Sequence, residues 1–339
     1  MNNWSKLYSL ADRIYALKPW QFMLEDELIG VRDPVTDTIG FTSVMGNLGE
    51  HYAITVYLGE SALGQFLQLS NPEIVPSPEM VLEIPQLMVS FEEKEYLDKE
   101  DRAVMKASGV SYKGNTLRPV FRSYRPGMVP WFLEERELES MVSFLEQFLE
   151  VVVSADAGKW KEKSGSEGQD IFLVRDYKVV GGKISWKNTY KEILIPEPEE
   201  LSIPIDMDLL NKARKTPVGK NIFEIDFFLT PAQVEETNQR PYFTYMLLLV
   251  DQQSELIISS EVMNPSEGID NMLSQIPGLL LELFSKRTSL PKAVYTTSLR
   301  LAEILFPMLQ DFGIQCQIKP RLRSLEMAKS SLMEYFGRS

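Results

Sequence analysis

The chain has 339 residues, long for a single hydrophobic core, so two domains are predicted. It carries 35 Lys+Arg against 48 Asp+Glu, a net charge of −13, and residues 200–339 hold only 14 and 17 of these, so the acidity lies mainly in the first part. Such a potential repels phosphate backbones and sets the expectation against nucleic acid, while leaving room for a local basic patch.

The elements follow in chain order. Leu7, Leu10, Ala11 and Ile14 recur at helical spacing, which predicts an amphipathic helix over Trp4–Leu17. Glu27–Asp33 and Ile39–Met45 read as a hairpin around the turn-forming PVTDT. GNLG makes the next turn, and HYAITVYLG is a third strand opened by His51. A helix is expected over Glu60–Leu69, then a proline-rich loop over Asn71–Pro85, then a strand over Gln86–Glu92. Asp98–Gly109 reads as a helix stopped by glycine. LRPVFRSYRPGMVPWFL is a strand with an irregular turn, and Glu134–Val153 is a long helix with an acidic first turn.

Ala155–Gln169 is polar and glycine-rich, the composition of a linker or domain edge. A hairpin is predicted around Gly181-Gly182 and one short helix within Pro196–Pro217. Three consecutive strands follow, Asn221–Thr230, Phe243–Asp251 and Leu256–Met263. A helix over Pro265–Arg287 is kinked by Pro277-Gly278. KAVYTT and IQCQIK are strands, each followed by a helix. The fold class is therefore α+β or α/β. Residues 1–155 are expected to form an α+β domain with a small, mostly antiparallel sheet. Residues 156–219 are expected to be a linker with a hairpin and a short helix. Residues 220–339 are expected to form a β-β-β-α-β-α-β-α domain with a mixed sheet.

The chemistry is narrowed by what is scarce. One histidine, His51, and one cysteine, Cys316, leave too few ligands for the usual zinc sites and no intramolecular disulfide. The sequence contains no G-x-S-x-G, no G-x-G-x-x-G and no phosphate-binding G-x-x-x-x-G-K-[ST]. If there is catalysis, carboxylates with a hard metal such as Mg²⁺ or Mn²⁺ are the most economical remaining option. The N-terminus lacks the apolar core of a signal peptide, and no apolar run nears membrane-spanning length, so a cytoplasmic protein without membrane contact is expected.

IFEIDFF, then YMLLLVDQQSELIISSEV, then AVYTTS and FGIQCQIK resemble the ribonuclease H-like core of integrases and transposases, over residues 220–336. The resemblance implies two metal ions held by acids on separated elements. Asp226 matches the first acid, and Glu326 or Glu334 on the last helix could serve as the third. At the second position the sequence has Thr296 and Thr297 in place of an acid, which argues against the activity. IGFTSVMGNLGEHYAITVYLG, LMVSFEEKEYLDKED and FRSYRPGMVPWFLEERELE, over residues 1–155, resemble a bacterial domain family of unknown function.

Three candidate sites remain. His51 is a candidate base or ligand contact, although it has no second histidine to work with. Arg122, Tyr124, Arg125 and Trp131 could clamp an anionic ligand, or the arginines could pair with neighbouring glutamates. Lys319–Lys329 concentrates basic residues at the start of the last helix. The expectation is a non-catalytic binding or interaction module with a protein partner. The alternatives are a metal-dependent nuclease or related phosphodiesterase using Asp226 with Glu326 or Glu334, and a sensor holding a small molecule between the domains near Arg122, Arg125 and His51.

Overall fold

A computed structural model describes residues 3–71, 78–154, 171–197, 201–237 and 239–336. The linker expected at Ala155–Gln169 lies outside the described residues. The chain divides into two units. The first is Met1–Arg125 with Pro130–Pro198, and the second is Pro126–Val129 with Glu199–Ser339.

The first unit is built on a seven-stranded sheet of β1 (Ile29–Arg32), β2 (Ile39–Met45), β3 (Ala53–Leu58), β4 (Gln86–Glu92), β5 (Arg118–Tyr124), β6 (Ile171–Val180) and β7 (Lys183–Glu192). Its spatial order is β5-β4-β3-β2-β1-β6-β7. All neighbours are antiparallel except β1 and β6, which run parallel through Ile29↔Leu173 and Val31↔Arg175. The hairpin assigned by sequence to the segment between domains is therefore the outer part of this sheet. The sequence gives no sign of this, because the pairing joins segments far apart in the chain.

Strand alternation then separates two cores. On one face Val44, Val56 and Val89 meet α1 (Asn3–Leu17) and the long helix α5 (Glu135–Val153), through Leu7, Ile14, Phe144 and Phe148. On the other, Phe41 and Val174 meet α2 (Gly59–Leu69) through Leu63 and Phe66. The proline-rich segment includes a short helix, α3 (Pro78–Leu82), and α4 is Lys99–Ala107. Buried Asp33 shapes the β1–β2 turn, accepting from Val35 N–H (3.1 Å) and the Thr36 hydroxyl (2.9 Å), and it takes a third bond from Ser140 on α5 (2.6 Å).

Thr42, on β2, is fully buried, and among the described residues its hydroxyl has no hydrogen-bond partner. Thr42→Val places a methyl group where that hydroxyl is desolvated without compensation. The variant is expected to be about 1 kcal/mol more stable in urea unfolding, and a comparable loss would contradict this accounting.

The second unit holds β8 (Ile222–Val234), β9 (Tyr242–Asp251), β10 (Ile257–Met263), β11 (Ala293–Thr296) and β12 (Gln315–Ile318) in the order β10-β9-β8-β11-β12. The first three are antiparallel, and β8, β11 and β12 are parallel. Phe223, Ile225 and Leu247 face α6 (Met207–Arg214), α7 (Ile269–Ser274), α8 (Ile276–Ser285) and α9 (Leu299–Asp311). Phe228, Leu248 and Val250 pack with Leu325 and Ala328 of α10 (Arg323–Phe336) and with Leu322 just before it. The kinked helix expected over Pro265–Arg287 is two helices, α7 and α8, broken at Gln275 just before Pro277, whose ring and missing N–H disfavour continuation.

Candidate functional site

The α10 face of the second sheet carries the acids of interest. Alternation puts Glu224 and Asp226, two residues apart on β8, on the same face as Phe228. The Thr297 hydroxyl, just past β11, donates to the Asp226 carboxylate, which also accepts from the Phe227 N–H (3.0 Å). Thr296 is fully buried, and its hydroxyl accepts from Ser298 N–H (3.1 Å) at the start of α9. Both threonine hydroxyls are thus engaged, Thr296 at the start of α9 and Thr297 on the Asp226 carboxylate.

Glu224, which the sequence did not single out, is the most constrained acid here. It is buried, and its carboxylate accepts from the Leu325 N–H at the start of α10 (2.9 Å) and from the Gln252 amide (3.0 Å). The positive end of a helix stabilises a carboxylate placed there. The i, i+2 spacing to Asp226 was the signal that could have found it. Glu326 pairs with Arg321 (2.7 Å), and Glu334 is exposed on the last turns of α10. Among the described residues, no group of three or more His, Cys, Asp or Glu could hold a metal ion. The basic run at Lys319–Lys329 is largely occupied: Lys319 lies 4.8 Å from the Tyr295 ring centroid and Lys329 4.1 Å from that of Phe228.

In the first unit the arginines read as a possible ligand clamp serve two helix starts. Arg122 on β5 donates to Asp101 through both terminal nitrogens (2.8 Å each), to Asp98 (2.8 Å) and to the Phe121 carbonyl (2.9 Å). Its guanidinium also lies over the Phe132 ring at 4.7 Å. Burial works against its charge, but Asp101 and Asp98 outweigh that and raise its pKa. Asp98 and Asp101 form the capping box of α4. Arg125 binds Glu137 (2.7 Å) and Glu134 (2.8 Å), the capping box of α5. The Tyr124 hydroxyl reaches the Met88 sulfur at 3.7 Å, and Trp131 exchanges backbone bonds with Ser123 and packs on Phe132.

Glu137 makes this corner sensitive to acid. Burial pushes its carboxyl up, but bonds from the Glu134 N–H, the Ser123 hydroxyl and Arg125 hold it below the ordinary carboxylate range. A depressed carboxyl contributes stability above its unfolded pKa, and that contribution is lost as pH falls through the folded value. Glu137→Gln is therefore expected to lower Tm at neutral pH and to flatten its decline below about pH 4.5, the range where a free glutamate titrates. Parallel acid limbs in the two proteins would rule this out.

His51 precedes β3 and does not lie within it. Its Nδ1 is 3.8 Å from a Glu92 carboxylate oxygen, and its side chain is half exposed. The turn before it uses Gly46 and Gly49 at φ of 113° and 81°, values that favour glycine. Among the described residues, His51 belongs to no group of three or more His, Cys, Asp or Glu that could hold a metal ion.

Between β9, β10 and α8 lies a groove of about 140 Å³, floored by Leu247, Leu249, Leu279, Leu280 and Leu283. Its volume is below the roughly 300 Å³ at which small-molecule sites usually begin. On its rim Lys286 pairs with Glu282 at 2.6 Å. Among the described residues, no helix is long and apolar enough to cross a membrane.

Residues 4–175 match the family model described as Domain of unknown function (DUF7309), and residues 209–333 match the one described as Domain of unknown function (DUF6930). No curated protein matches the chain. The outer part of the β6–β7 hairpin falls in neither matched segment.

Proposed function

We infer that this chain, which belongs to the family described as Domain of unknown function (DUF7309), is a non-catalytic interaction protein whose second unit is a degenerate ribonuclease H-like domain. Support for the fold assignment comes from its three antiparallel strands followed by parallel strands with helices between them. The observation that carries the loss of activity is the Thr297–Asp226 bond. The position where the resemblance implies a second acid supplies a hydroxyl, and that hydroxyl occupies the Asp226 carboxylate. A neutral hydroxyl is a poor substitute for a carboxylate on Mg²⁺ or Mn²⁺, and a two-metal site needs several carboxylates converging. A cytoplasmic setting belongs to the same proposal, supported by a lone cysteine, Cys316, whose thiol is pushed up by burial and is thereby less reactive.

The test is a cleavage assay on single- and double-stranded DNA and RNA with Mg²⁺ or Mn²⁺. The wild type is expected to show no metal-dependent cleavage above that of Asp226→Asn. Cleavage by the wild type that Asp226→Asn abolishes would overturn the proposal.

A further inference from the structure

The β6–β7 hairpin runs on past the sheet that holds it. β1 pairs with β6 only over Leu173–Arg175, while β6 and β7 remain paired out to Val180 and Lys183. Beyond Arg175, among the described residues, the two strands have only each other as strand partners, and Gly181-Gly182 close the ribbon at φ of 58° and 76°, the turn that suits a two-residue hairpin. Its faces differ. Register puts Tyr177, Val179, Ile184 and Trp186 on one side, and Lys178, Lys183 and Lys187 on the other together with Val180. Val179 and Val180 are about two-thirds exposed and Ile184 about half. Among the described residues the three lysines make no ion pair. The stretch 177–188 has three lysines and no acid, in a chain of net charge −13.

A complementary surface occupies the other end of the same sheet. Past β4, which neighbours the edge strand β5, residues 92–101 hold six acids against two lysines. Glu93, Glu95 and Glu100 are exposed and unpaired among the described residues, and Tyr96 between them is 72% exposed. An exposed aromatic within an acidic segment matches exposed Val180 among Lys178, Lys183 and Lys187 in both charge and polarity.

We propose that the β6–β7 ribbon docks on the Glu93–Glu100 segment of a second copy of this chain. The contact is head-to-tail, since ribbon and acidic segment are different surfaces, and repeated contacts give rings or open chains according to whether the rotation closes. Pairing two β7 edges about a two-fold axis is disfavoured, because it would bring the lysines of both strands together on one face. The net charge likewise opposes a duplex nucleic acid as the occupant. This deepens the interaction reading by naming its partner, and it is tested without a cleavage readout, so either can fail alone.

The experiment is sedimentation velocity on the full chain from about 10 μM to 1 mM, at about 20 mM and about 500 mM NaCl, conditions chosen to detect weak, screened association. The sedimentation coefficient should rise with concentration at low salt and return to the monomer value at high salt. Lys178→Glu/Lys183→Glu/Lys187→Glu should remain monomeric, as should Glu93→Lys/Glu95→Lys/Glu100→Lys. Mixing these two charge-reversed variants should restore association, because each retains one native surface and their reversed surfaces also complement each other. Val180→Ser, which leaves all charges in place on the lysine face, should weaken association about fivefold or more. A wild type that stays monomeric throughout, or a mixture that fails to associate, overturns the proposal. So does duplex DNA binding by the wild type that the lysine variant loses while self-association persists.

Discussion

Arg122→Ala is expected to destabilise the first unit by about 3–4 kcal/mol, because it leaves the buried Asp101 carboxylate without its cation. Arg122 supplies three bonds to two carboxylates, fixes the start of α4 against β5, and stacks on Phe132. Arg122→Lys keeps the charge but loses the fork, and should cost about 1–2 kcal/mol less than the alanine variant. Urea unfolding measures both. Hydrogen exchange should show lost protection at the first turn of α4 and along β4–β5. The outcome also separates two roles for this arginine. A side chain held ready for an anionic ligand would have donors to spare, and its removal would change stability by less than about 1 kcal/mol.

Glu224→Ala is the second large effect, at about 2–3 kcal/mol in the second unit. The Leu325 N–H at the start of α10 loses its acceptor while it remains buried among Phe228, Leu248 and Leu322. The exposed Gln252 amide can turn to water, so its share of the loss is small. Glu224→Gln retains an acceptor oxygen and should cost about 1 kcal/mol, since the charge-assisted part of the bond is all that goes. Hydrogen exchange at Leu325–Ala328 should rise in the alanine variant well before the rest of the unit is affected. Unchanged exchange there would mean that α10 is held by its apolar contacts alone.

The local elements were legible because local rules determine them. Gln86–Glu92 matches β4 residue for residue, and α5 starts one residue inside its expected range because Glu134 is its cap. From β8 to α10 the second unit was read in order, since its strands and helices are contiguous and each is separated by a turn signal, but α6, assigned by sequence to a linker, belongs to its core through Leu210 and Ala213. What was not legible depends on distance along the chain. The place of β6–β7 in the first sheet is set by β1, and periodicity cannot report a partner so remote. The arginine cluster was correctly seen as a concentration of cations and aromatics. The carboxylates it pairs with are Asp98, Asp101, Glu134 and Glu137, which sequence alone could only offer as neighbours. Glu224 matches no motif, and its partner, a backbone N–H on α10, has no sequence signature.

The parallel β1–β6 pair has a kinetic consequence. Ile29 is buried between two neighbours, and one of them is made only after the whole of α5 has been synthesised. Until then β1 is an open edge, with unpaired backbone groups on the side that β6 will fill. Contacts of such long sequence separation slow folding, because the loop entropy is lost before the pairing rewards it. The first unit should therefore close late, with arrival of β6 as its slow step, and a chain released before Ile171 would carry an exposed strand inviting pairing with other chains.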